Sequence, residues 1–124
     1  MKFLIDANCV IYLFAGNHPP LSRRVEDTGQ GDIGLSTIVF AELLMGVAQG
    51  KPPSSEALEV LSRQMPVISF DEDAARAYAK IPFRRGRFDR LLAGHALSLG
   101  VPIITANGKD FADIPSLKVE DWTQ

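Results

Sequence analysis

Five short runs of aliphatic and β-branched residues alternate with longer stretches of helical period, and this alternation most limits the folds open to the chain. The runs at 2–6, 32–36, 67–70, 102–105 and 117–119 read as strands. Helices are expected over 10–15, 20–28, 37–49, 54–64, 74–81 and 90–99. Strands separated by helices predict βαβ units, hence an α/β sandwich with a central parallel sheet flanked by helices. Gly16-Asn17-His18-Pro19-Pro20, Gly29-Gln30-Gly31, the Pro/Ser-rich stretch 50–55 and Gly100-Val101-Pro102 supply turns and caps. Gly100 suits a left-handed helix end, and Asp71 suits an N-cap. None of these stretches is long enough for a domain linker, so residues 1–124 are expected to form one domain. At 46% hydrophobic the chain can bury a core.

A formal net charge of -2 and a pI near 5.6 argue against broad adhesion to nucleic acid, while leaving room for a local basic patch. Cys9 is the single cysteine and can form no internal disulfide, which points to a reducing compartment and makes the cytoplasm the expected location. The apolar N-terminus is broken by Asp6 and Asn8, so it does not read as a secretory signal. No apolar segment approaches the ~20 residues of a membrane span, and no membrane partner is expected.

Four acids stand out by position. Asp6 ends the apolar run Phe3-Leu4-Ile5, Glu42 interrupts an almost wholly apolar helix, Asp89 opens the helix before the fourth strand, and Asp110 follows Ile103-Ile104-Thr105-Ala106-Asn107. In an open parallel sheet ligands bind beyond the carboxyl ends of the strands, where Asp6 and the 107–110 stretch would lie. Clustered carboxylates repel one another unless a cation neutralises them, and a hard divalent ion such as Mg²⁺ or Mn²⁺ suits oxygen ligands. Zinc fits poorly, because His18, His95 and Cys9 are not at ligand spacing. Such a site would suit metal-assisted hydrolysis of a phosphodiester. No serine or cysteine has a visible base partner, and no Walker-type phosphate loop is present.

Each acid also has an ordinary reading: Asp6 or Asn8 as the cap of the first helix, Asp89 as the cap of its own, Asp110 as a turn former. Glu42 is the hardest to explain in that way, since a charge inside an apolar helix needs a reason. Phe83-Arg84-Arg85-Gly86-Arg87-Phe88 and then Arg90 surround Asp89. The run reads equally as a grip for phosphates and bases, as a solvated basic loop, or as a dock for an acidic partner. Cys9 and His95 read as structural residues, and Trp122 as a packing anchor.

These motifs resemble the PIN-domain ribonucleases, specifically the VapC-type toxins of toxin–antitoxin pairs. The resemblance rests on Phe3-Leu4-Ile5-Asp6-Ala7-Asn8, then Ser36-Thr37-Ile38-Val39-Phe40-Ala41-Glu42-Leu43-Leu44-Met45-Gly46, and then Phe88-Asp89-Arg90-Leu91-Leu92-Ala93-Gly94-His95-Ala96. It continues through Thr105-Ala106-Asn107-Gly108-Lys109-Asp110-Phe111, Ile114-Pro115-Ser116-Leu117 and Val119-Glu120-Asp121-Trp122. It implies a PIN-like three-layer sandwich and a Mg²⁺- or Mn²⁺-dependent endoribonuclease. In the family the acids matching Asp6, Glu42 and Asp89 form the metal site, with the first and third as principal ligands. A fourth position falls at Asn107 or Asp110; Asp110 is expected to fill it, with Asn8, Thr105 and Asn107 as polar neighbours toward substrate. Ala7 departs from the hydroxyl residue that the family often carries there, which leaves the ligands intact. The resemblance further implies a homodimer and a cognate antitoxin that inserts a peptide at the acidic site.

The expected activity is therefore RNA cleavage by a toxin, with Arg84, Arg85, Arg87 and Arg90 toward RNA or antitoxin. The alternative is a binding module that keeps the fold and acts through a DNA-binding antitoxin. A receiver-type phosphoacceptor is a poorer match: Asp6 stands alone early in the chain, and Lys109 sits in the wrong context.

Overall fold

Leu4, Ile5, Ile103 and Ile104 are all fully buried, and strands buried on both faces belong in the middle of a parallel sheet. A computed structural model describes residues 1–84 and 87–124. Among these, β1 (Phe3–Ile5), β2 (Ile33–Ser36), β3 (Val67–Ile68), β4 (Ile103–Ile104) and β5 (Val119–Glu120) form one parallel sheet in the order β3-β2-β1-β4-β5. The helices are α1 (Ala7–Ala15), α2 (Pro19–Asp27), α3 (Thr37–Ala48), α4 (Ser55–Gln64), α5 (Glu72–Tyr78) and α6 (Phe88–Leu99). This is the α/β architecture that the alternation predicts. No helix among the described residues is long and apolar enough to cross a membrane.

The topology places a crevice at the centre. From β1 the chain builds outward through β2 to β3, then returns to the other side of β1 for β4 and β5. Leu4 pairs with Gly34 on one side and Ile103 on the other, so the strand order reverses around β1. Beyond the carboxyl ends of β1 and β4, such a reversal leaves an opening that side chains can line.

Local chemistry moves several boundaries. The first helix starts at Ala7 rather than residue 10, because Asp6 caps it and its Oδ1 accepts the Cys9 N–H at 2.8 Å. Asp71 caps α5 by accepting the Ala74 N–H at 2.9 Å, which starts that helix at Glu72, two residues before the predicted start. Gly100 ends α6 with φ 68, a left-handed conformation that glycine adopts at little cost. β5 lies slightly beyond its predicted span, in register with Val119 opposite Ile103.

Packing tests the structural readings. Trp122 is buried, meets Phe3 edge-on with centroids 5.0 Å apart, and donates its Nε1–H to Glu120 at 2.9 Å. Cys9 is buried in the core. His95 is buried with Nδ1 at 2.8 Å from Ser36 Oγ, so it joins α6 to the end of β2. Helices α5 and α6 meet closely at Gly94, where an added Cβ would stand 2.7 Å from Tyr78 Cα. Helix α3 is less enclosed than its sequence suggests. Val39 and Leu43 face the core, but Leu44 and Met45 are exposed, as are Ile11 and Phe14 on the contacting α1.

Candidate active site

The acids reach the central crevice from four different segments. β1 delivers Asp6 immediately beyond Ile5; the Asp6 N–H donates to Ile104 O at 3.0 Å, while its carboxylate caps α1. Glu42 comes from α3, Asp89 from the first turn of α6, and Asp110 from a 3₁₀ turn spanning Gly108–Phe111. All four line one cavity of about 270 Å³, together with Asn8, Arg87, Thr105 and Asn107. The Thr105 hydroxyl accepts the Asn107 N–H at 3.0 Å, which shapes the turn leading to Asp110.

Burial and mutual repulsion act on this ring. Burial holds the Asp6 carboxyl above its usual range, opposed by hydrogen bonding from Thr105 and Cys9. The Glu42 carboxyl is also raised, first by burial and then by the charges of Asp6 and Asp89. That coupling answers the question of an acid inside an apolar helix: Glu42 belongs to the cavity.

Among the described residues, Arg87 supplies the cation nearest these acids. Its Nε donates to Asp89 Oδ1 at 3.1 Å and its Nη2 to Asp89 Oδ2 at 2.6 Å, and the same Nη2 lies 3.3 Å from Asp110 Oδ2. The hydrogen-bonded Asp89 carboxylate, helped by Asp110, raises the guanidinium above its ordinary range. Among the described residues, no three Asp, Glu, His or Cys side chains are grouped tightly enough to hold a metal ion as they stand. The four instead form an open ring with Arg87 bridging two of its members.

That ring still suits Mg²⁺ or Mn²⁺. Its donors are oxygens, two of its acids are strained toward protonation, and a guanidinium already stands in for a positive ion. Mg²⁺ commonly keeps several waters and takes only one or two carboxylates, so it does not require a closed protein cage.

The arginines divide into different classes. Arg84 is exposed and pairs with Asp113 at 3.5 Å. Arg85 lies outside the described residues. Arg90, expected to face RNA or antitoxin, is fully buried: Nη1 and Nη2 donate to Asp113 at 3.0 and 2.8 Å, Nη2 donates to Pro82 O at 2.7 Å, and Nη1 to Asp110 O at 3.3 Å. A side chain so occupied is closed to substrate, and that assignment is corrected. Its acidic partner Asp113 passed unnoticed in the sequence. Arg90 sits one helical turn before the inward-facing Ala93 and Gly94, a pattern that marks its side of α6 as internal.

Comparison with known proteins places these features in a family. The PIN domain family model matches residues 3–117. A tRNA(fMet)-specific endonuclease VapC from Shigella flexneri is 30% identical, with the match covering 99% of each chain. Ribonuclease VapC1 from Haemophilus influenzae strain R2866 is 32% identical, with both chains covered fully. The solved structure of VapBC-1 from nontypeable Haemophilus influenzae superposes with a TM-score of 0.82 at 29% identity, again over 100% of both chains.

Proposed function

This chain belongs to the PIN-domain family, and from that premise we propose that it is a divalent-metal-dependent endoribonuclease acting as the toxin of a toxin–antitoxin pair. The single observation that carries this reading is the open ring of Asp6, Glu42, Asp89 and Asp110 around one cavity at the reversal point of the sheet. Full-length similarity to proteins named as ribonucleases supports the reaction, and similarity to a VapBC structure supports the partner.

Asp6 and Asp89 would hold Mg²⁺ or Mn²⁺ as its principal ligands, Glu42 would adjust the charge of the site, and Asp110 would complete it. The ion would supply Lewis-acid stabilisation of charge on the attacked phosphate. Asp6 is fixed for this role by the α1 cap and the β4 carbonyl, which limit its motion. Asn8 is exposed beside it and suits contact with the RNA backbone, while Thr105 and Asn107 hold the turn that carries Asp110. Arg87 leaves its bridge to pair with a phosphate when substrate and metal enter, because a guanidinium matches phosphate in a forked geometry.

Residues 1–124 act as one domain in the cytoplasm. The cognate antitoxin and a second copy of the chain cover exposed apolar surface such as that of Leu44, Met45, Ile11 and Phe14. An antitoxin arginine would compete for the same carboxylates that Arg87 now bridges.

The deciding experiment incubates purified, antitoxin-free protein with cellular RNA in Mg²⁺, in Mn²⁺ and in EDTA, beside Asp6→Asn. Discrete fragments that need metal and vanish in the variant are expected. Absence of cleavage by well-folded protein in both metals would overturn the nuclease reading and favour a binding module acting through a DNA-binding partner.

A further inference from the structure

Beside the acid ring lies a second, smaller depression of opposite character. It measures about 230 Å³ and is lined by Tyr78, Phe83, Arg84, Arg87, Phe88 and Leu91. Among the described residues no carboxylate lines it, whereas the guanidiniums of Arg84 and Arg87 do. Phe83 and Phe88 are 73% and 60% exposed, the two most exposed phenylalanines among the described residues. Arg87 lines both depressions, so the aromatic one opens directly beside the acids.

We propose that this depression is a nucleobase slot, in which an unpaired base next to the scissile phosphate stacks on Phe83 and Phe88 while Arg84 and Arg87 hold its flanking phosphates. This rests on the nuclease reading for the identity of the polymer.

Three observations favour this occupant. Exposed aromatic rings beside arginines form the usual platform for single-stranded nucleic acid, since every base has a flat face to stack. The guanidiniums of the lining, which now pair with Asp113 and with Asp89 and Asp110, match a phosphate chain when they turn to it, in contrast with the acid ring, which accepts phosphate only where a cation offsets its charge. The volume falls below the roughly 300–1,000 Å³ of drug-sized pockets, which suits one planar ring better than a peptide helix. The slot would also make the choice of cleavage position depend on the base it holds, because stacking fixes that nucleotide relative to the acids.

The test measures anisotropy of a fluorescein-labelled single-stranded oligoribonucleotide in EDTA, so that no cleavage occurs, at one fixed low salt concentration. Phe83→Ala and Phe88→Ala each weaken binding by roughly five- to a hundredfold, and Phe88→Trp restores it. Replacing one nucleotide by an abasic site weakens binding to the native chain but adds little further loss in Phe88→Ala. Unchanged affinity in both alanine variants overturns the slot, as does unchanged RNA affinity accompanied by loss of binding to a protein partner. Cleavage by the native chain is scored separately against Asp6→Asn. Cleavage with phenylalanine-independent binding leaves the nuclease standing and removes the slot. Phenylalanine-dependent binding without cleavage does the reverse.

Discussion

Arg87 and Arg90 leave the chain three residues apart, and both point their guanidiniums at carboxylates, yet their surroundings assign them opposite tasks. Arg90 is enclosed, and Asp113 with two backbone carbonyls takes up four of its hydrogen bonds. Arg87 is partly exposed and bridges Asp89 and Asp110 within a ring of four acids that holds more negative charge than it can offset. A closed pair balances its charges and so holds the fold, whereas an open ring with excess charge is fitted to recruit another cation. The same side chain is therefore structural or replaceable according to how many unpaired acids surround it.

Substitution of one acid on each side should separate the two tasks. Asp89→Asn should lower the rate of RNA cleavage by at least about a thousandfold, because a metal ion contributes several kcal/mol to the transition state. Its thermal unfolding midpoint should change little. An Asp89→Asn protein that still cleaves at near-native rate would remove Asp89 from the site altogether.

Arg90→Ala should act on folding instead, by about 2 kcal/mol, since it removes a buried guanidinium and with it the bonds to the exposed Asp113 and to the carbonyls of Pro82 and Asp110. Urea denaturation would show a lowered midpoint. Native-like stability would mean that the enclosed arginine does not hold the fold, and the contrast with Arg87 would fail.

Acid titration should sharpen the contrast, because the two regions have opposite signs. Arg90 holds the Asp113 carboxyl down to about 2, below its unfolded value near 4. Its contribution to stability is therefore present at neutral pH and is lost as pH falls from about 4 toward 2. Asp6 and Glu42 have raised values in the folded state, so their ionisation opposes folding at neutral pH and the opposition eases on acidification. Unfolding midpoints measured across this range should show a shallower acid-side decline for Asp113→Asn than for the native chain. An identical decline would mean that this pair does not govern acid stability.

The smallest effect is expected from Arg87→Gln. Removing the bridging cation should tighten Mn²⁺ binding by about a few-fold while leaving the unfolding midpoint nearly unchanged, as exposed pairs add little. Calorimetric titration would read this directly. Weaker Mn²⁺ binding would show that Arg87 supports the ion instead of competing with it.

The sequence and the structure agree best where local pattern decides. Strand runs such as Ile103-Ile104 and caps such as Asp71 and Gly100 are specified by neighbouring residues, so they are legible without tertiary knowledge. The acid ring was also legible, since Asp6 and Asp110 follow strand ends and Glu42 breaks an apolar helix. Arg90 was not, because its partner Asp113 is 23 residues away and nothing in the basic run distinguishes an inward arginine from an outward one. Nor could the sequence tell that Arg87 would stand between two acids, which depends on where the 3₁₀ turn places Asp110.

Gly94 has no side chain to bind or react, yet it sets the gauge of the hairpin made by α5 and α6. Phe83 follows one arm of that hairpin and Phe88 begins the other. Any side chain at 94 must push Tyr78 away, and the two rings would move apart with their helices. The spacing of an aromatic platform at the mouth of the site is thus governed from six residues down the helix, by an atom that is missing.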